Sequence, residues 1–162
     1  MRASFVTHGL PQPSSNGGPM TCWAILKTLV ERGHDVTVFP LVAPTDPFYT
    51  PQREAVLRSL GVTLVPVPVS GYVGDLLGHR LDTWLKLLRP PVAAFYPSAS
   101  LAPRLKVLLE EAAPDVIFAY HYVAVAATHG LRVAPRVAGV GDLWHWPTLQ
   151  RWRQATPTPS RF

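Results

Sequence analysis

Four ionisable side chains, His8, His121, Asp142 and His145, each follow closely on an apolar run that reads as a strand. An imidazole can take and return a proton near neutral pH, and a carboxylate can act as a base or hold a polar ligand. Together such groups suit proton transfer to or from a hydroxyl. Each also has a plainer explanation, such as a histidine hydrogen-bonded to a loop. Their spacing matches no H-E-x-x-H or related ligand pattern, so no metal site is expected. There is no G-x-S-x-G, and Ser98 and Ser100 fall in a Pro-Ser helix start, which argues against a serine triad.

A second chemical feature lies near the amino terminus. Asn16-Gly17-Gly18 can turn sharply and bring backbone N–H groups close to a ligand. Pro19 suits the first helical position, where its missing donor costs nothing. A helix start preceded by glycines directs unpaired N–H groups and the helix dipole at an anion. Gly17 and Gly18 are thus candidate phosphate contacts, and a tight turn without a ligand is the alternative. The loop lacks both G-x-G-x-x-G and G-x-x-x-x-G-K-[ST], which disfavours a plain dinucleotide dehydrogenase and a P-loop ATPase.

The elements that must position these groups follow a regular rhythm. Ala3 to Thr7 predicts a buried strand, Pro19 to Arg32 a helix stopped by Gly33, and Val36 to Leu41 a second strand. Cys22, Ile25, Leu26, Leu29 and Val30 form the apolar stripe of that helix, and Cys22 reads as a buried core thiol. A proline-rich loop from Pro40 to Pro51 precedes a helix over Gln52 to Leu60 and a third strand over Val62 to Val69. Residues 71 to 112 read as two amphipathic helices, the first carrying Trp84 and ending at Pro90-Pro91, the second marked by Leu101, Leu105, Leu108 and Ala112. Asp115 to Ala119 predicts a fourth strand, Val123 to Thr128 a short helix and Arg136 to Val140 a fifth strand. This β-α-β alternation predicts the α/β class, an open, mostly parallel sheet with helices on both faces. Ligands of such sheets bind outside the carboxyl ends of the strands. His8, His121, Asp142 and His145 are therefore expected along one edge.

Composition narrows the classes. A chain of 162 residues is long enough for one domain with a real core, and 48% hydrophobic against 15% charged residues excludes a disordered chain. The single cysteine rules out an internal disulfide and suits a reducing cytoplasm. No secretory signal and no run of about 20 apolar residues is present. The formal charge of +5 is compatible with an anionic partner, but no nucleic-acid motif accompanies it. No nucleic-acid partner is expected.

The stretch Phe5-Val-Thr-His-Gly-Leu-Pro-Gln-Pro13, then Gly17-Gly18, then Leu29-Val-Glu-Arg-Gly-His-Asp-Val-Thr-Val-Phe39 resembles the N-terminal domain of GT-B glycosyltransferases. Within these it is similar to the family-4 type, the glycosyltransferase subfamily 4-like N-terminal domain. The resemblance resumes at Pro114-Asp-Val-Ile-Phe-Ala-Tyr-His121 and at Arg136-Val-Ala-Gly-Val-Gly-Asp-Leu-Trp144. It implies a Rossmann-like domain, one half of a GT-B fold, over residues 1–154, with 155–162 a frayed tail and the C-terminal donor-binding domain absent. It implies transfer of a sugar from a nucleotide-sugar donor to a sugar or lipid-linked acceptor, with the donor as substrate and no cofactor. By the resemblance Gly17 and Gly18 contact the donor diphosphate, Asp142 and His121 carry the acid-base role, and His8, Trp144 and His145 line the acceptor side. The family often has Val-His-Asp after the fifth strand. Here the run is Val140-Gly141-Asp142, so Asp142 matches and Gly141 replaces the histidine. Phe118 and Tyr120 likewise stand where the fourth strand of the family often ends in histidines.

The expectation is an acceptor-side domain that needs a second domain for turnover. It is cytoplasmic, or peripheral at a membrane if the basic rim and Trp84 of the first amphipathic helix meet lipid instead of the sheet. The competing class is a non-catalytic interaction or regulatory domain with the same fold. A flavodoxin-like small-ligand binder is a third reading.

Overall fold

The computed structural model describes residues 1–13, 17–42, 49–69 and 101–139. At its centre β1, Arg2–His8, lies between β2, Asp35–Val42, and β5, Val116–Tyr120. Both pairings are parallel, with Phe5 opposite Val38 on one side and Phe118 on the other. Residues 3 to 7 of β1 are all buried, the signature of a parallel strand covered on both faces.

Alternation along these strands divides two apolar layers. Ala3, Phe5, Val36 and Val38 face α1, Gly18–Glu31, and α2, Pro51–Arg58, which contribute Cys22, Leu26 and Leu57. Val6, Phe39, Leu41, Ile117 and Ala119 face α3, Leu101–Ala112, and α4, Tyr122–Ala127, through Leu101, Leu105, Leu109 and Val123. Helices thus cover both faces of a parallel sheet, as the β-α-β rhythm predicts. Leu26, Leu57, Leu105 and Leu109 are wholly buried. Each such side chain contributes roughly 1.5–3 kcal/mol through removal of apolar surface from water. Across the β1–β5 pair the rings of Phe5 and Phe118 stack at 5.8 Å.

The expected third strand is divided. β3, Thr63–Leu64, and β4, Val67–Pro68, both pair parallel with β2. Pro66 stands between them and has no N–H for the ladder. Val65 N–H still reaches the Val38 carbonyl at 2.9 Å, so the alignment carries through the interruption. The far edge is β6, Arg136–Gly139, parallel to β5, giving the order β3-β2-β1-β5-β6 with β4 also on β2. The α2 helix begins on a Thr50 cap that accepts from Arg53 N–H at 3.3 Å, with Pro51 in its first turn. Arg58 and Tyr49 both donate to the Glu54 carboxylate. The Arg58 bond first, and then the Tyr49 bond, hold that carboxyl below its ordinary range. Cys22 is buried, and burial pushes its thiol up to about 12, in keeping with a core thiol and not a nucleophile. Among the described residues no helix is long and apolar enough to cross a membrane. The stretch around Trp84, where a helix is expected, lies outside the described residues.

One helix end is poorly matched to its residue. Ala113, just past α3, takes φ 44° while its N–H reaches the carbonyls of Leu109 at 3.1 Å and Glu110 at 3.2 Å. Glycine is the usual residue in that left-handed position, because a Cβ crowds the following carbonyl. Ala113→Gly is expected to stabilise the chain by about 1 kcal/mol, a rise of roughly 4 °C in Tm. A thermal melt checks this, and an unchanged or lower Tm contradicts it.

Candidate functional site

Parallel alignment brings the carboxyl end of every described strand to one edge of the sheet. His8 is the last residue of β1, and His121 follows β5 directly. Their imidazoles stack with centroids 4.9 Å apart and planes inclined by 17°. His8 is exposed at the rim, whereas His121 is half-buried with its Nδ1 enclosed. Two of the expected edge residues therefore meet, and they form one imidazole surface.

The backbone of His121 is the unusual feature of this edge. It caps α4 with φ 78° and ψ 146°, at the border of a region that is almost exclusive to glycine. Its N–H donates to the Gly139 carbonyl at 2.8 Å, and its carbonyl accepts from Val125 N–H at 3.0 Å. Those bonds hold the residue from both sides, against a strain on the order of 1–3 kcal/mol. The outcome is a tight strand-to-helix elbow that sets the imidazole of His121 against that of His8.

The glycine turn occupies the same edge. Gly17 caps α1 with φ 65° and ψ −133°, a conformation closed to residues with a Cβ. Both the N–H and the hydroxyl of Thr21 donate to its carbonyl at 3.2 Å. The first turn of α1 carries no acidic residue and the cap makes no side-chain hydrogen bond. The positive end of the dipole is thus left without a carboxylate from its own helix. Among the described residues nothing lies within 4 Å of where a Cβ on Gly17 would stand. Pro19 falls second in the helix, one place later than expected, because Gly18 already has helical geometry.

Tyr120 links these parts. It ends β5, belongs to the apolar cluster beneath α1, and is the chain neighbour of His121. A Cβ built on Gly18 would lie 3.5 Å from its Cε1, and one on Gly139 only 2.9 Å from its Cδ2. In the sequence Tyr120 stands out only as a residue at a position where the resembled family often has a histidine. The contact with Gly139 has no local signal, because it joins residues 120 and 139 through strand pairing. Asp142, Trp144 and His145, like Gly141, lie outside the described residues.

No family model matches the chain, and no curated protein matches its sequence. Among solved structures, a crystal structure of the "Glycotransferase of kitacinnamycin" is similar, with TM-score 0.52 and 18% identity. The match covers 98% of this chain and 36% of the other, so the chain spans little more than a third of that glycosyltransferase's length. At this identity the likeness is one of fold. The chain has a glycosyltransferase-like α/β fold.

The elbow leads to a comparison of two variants. His121→Ala removes the ring and keeps the strained backbone, while His121→Gly removes both. The glycine variant is expected to be more stable than the alanine variant by about 1–2 kcal/mol. Chemical denaturation of both gives the difference, and equal stabilities contradict the strain.

Proposed function

We propose that this chain is the acceptor-side, N-terminal domain of a GT-B glycosyltransferase of the family-4 type, acting on a nucleotide-sugar donor. The single observation behind this reading is the gathering of His8, His121 and the Gly17–Gly18 helix start along one carboxyl edge. The fold likeness to a glycosyltransferase supports it. In this reading the N–H groups of Gly17 and Gly18 receive the donor diphosphate, aided by the dipole of α1. His8, with Trp144 and His145, lines the acceptor side. The acceptor hydroxyl forms the new bond to the anomeric carbon, the bond from that carbon to the diphosphate oxygen breaks, and the nucleoside diphosphate leaves with the electron pair. The hydroxyl proton passes to a base, Asp142 first or His121.

Residues 1–154 form the domain in this proposal, and a second domain supplies the opposing wall of the cleft. Positioning two reactants in such a cleft accounts for about 7–11 kcal/mol of barrier in well-oriented systems. The chain by itself is therefore expected to fold and not to transfer sugar. A panel of nucleotide sugars assayed on the chain alone and mixed with a candidate C-terminal domain tests this. Transfer only in the mixture agrees with the proposal, and robust transfer by the chain alone contradicts it. In the active mixture Gly17→Ala is expected to lower kcat/KM by roughly tenfold or more, since a Cβ is strained at φ 65°, ψ −133° and shifts the backbone N–H away from the phosphate.

A second reading is favoured by one specific residue. Gly141 stands where the resembled family often has a histidine, which suits a domain that keeps the fold without turnover. Absence of transfer in the mixture as well would support that reading.

A further inference from the structure

We infer that Tyr120 is the positioning residue of the glycine turn: its ring is the strut that sets the first turn of α1 against the end of β6. This deepens the donor-phosphate reading above and rests on it for its functional meaning. Two contacts carry the inference. The ring lies alongside Gly18, the first helical residue of α1, at ordinary contact distance from where a Cβ would stand. On its other side it lies so close to Gly139 that a Cβ there would come within 2.9 Å of Cδ2. Cδ2 is in the body of the ring and not at a flexible tip, so any side chain at 139 displaces the ring.

The base of the strut is also fixed. Tyr120 pairs in register with Thr7 of β1 and with Gly139 of β6. The next residue, His121, is held in its strained turn by the Gly139 carbonyl. Gly139 therefore serves the edge in two ways. Its missing side chain admits the Tyr120 ring toward α1, and its carbonyl anchors the elbow that carries His121. The phosphate turn and the imidazole stack are set by Tyr120 at the end of β5, by His121 next to it, and by the same small residue on β6.

Among the described residues, few other contacts fix that turn. Gly17 makes no side-chain cap bond, and the first turn is held by Thr21 donating to the Gly17 carbonyl and by Gln12 N–H donating to the Pro19 carbonyl, each at 3.2 Å. An aromatic ring against such a turn reduces its opening through contact area alone, so the hydroxyl of Tyr120 is not required.

Amide hydrogen exchange on the full 162-residue chain tests this, read at Thr21 against a core amide such as Val38. Tyr120→Ala is expected to speed exchange at Thr21 by roughly tenfold relative to Val38. Tyr120→Phe, which keeps the ring, should restore the wild-type ratio. Gly139→Ala provides an independent route, displacing an intact ring, and should also raise the Thr21 ratio if the alanine variant at 120 does not fold. The same samples titrated with inorganic pyrophosphate should lose affinity in the order of their Thr21 exchange. Unchanged Thr21 ratios in Tyr120→Ala and Gly139→Ala would overturn the strut, and so would failure of Tyr120→Phe to rescue. If the ratios rise as expected but wild type ignores pyrophosphate, the strut stands and the phosphate reading of the turn fails.

Discussion

Parallel pairing of β1 with both β2 and β5 is the constraint on which the rest depends. A strand covered on both faces needs small or apolar side chains in both directions, and Ala3 to Thr7 has no exposed position, with Phe5 and Val6 apolar and Ser4 and Thr7 buried beside them. Because its neighbours run the same way, their carboxyl ends share one edge. The chain leaves β1 there, turns through the glycines and returns along α1. It leaves β5 at the same level and turns through His121 into α4. The gathering of His8, His121 and the glycine turn at that edge follows from strand direction, and the apolar layers above and below make the direction firm.

Strain is concentrated where the edge is built. Gly17 occupies a conformation suited only to glycine, and the residue type fits. His121 occupies a comparable region without that freedom. An ordinary turn would use glycine there and gain stability. Keeping an imidazole on such a backbone costs folding energy and sets the ring against His8. That exchange is common where a side chain is placed for a ligand and less so where it only fills space. The neighbouring Tyr120 ring, threaded past Gly139, ties the two turns into one unit.

Much of this was legible in the sequence, because its signals are local. Pro19 and Gly33 bracket α1 within a residue or two, and the strand runs around Phe5, Val38 and Phe118 stand out by their apolar pattern. The sharing of one edge by His8 and His121 followed from strand direction alone. Their stacking did not, since it depends on the backbone turn at His121, and nothing local demands a positive φ at a histidine. The Tyr120–Gly139 contact depends on register between distant strands. The split of the third strand was readable at Pro66 but was outweighed by the β-branched run around it. The acid-base candidate Asp142 and the aromatic and imidazole groups at 144 and 145 belong to the site as an expectation from sequence.

Amide-resolved NMR of the chain titrated with a nucleotide sugar at millimolar concentration tests the central claim most directly, that the carboxyl edge is the ligand-binding edge. The account predicts shift changes clustered at Gly17, Gly18 and His121. Changes confined to the amino edge, around Arg2, Asp35 and Asp115, or no changes at all, would contradict it.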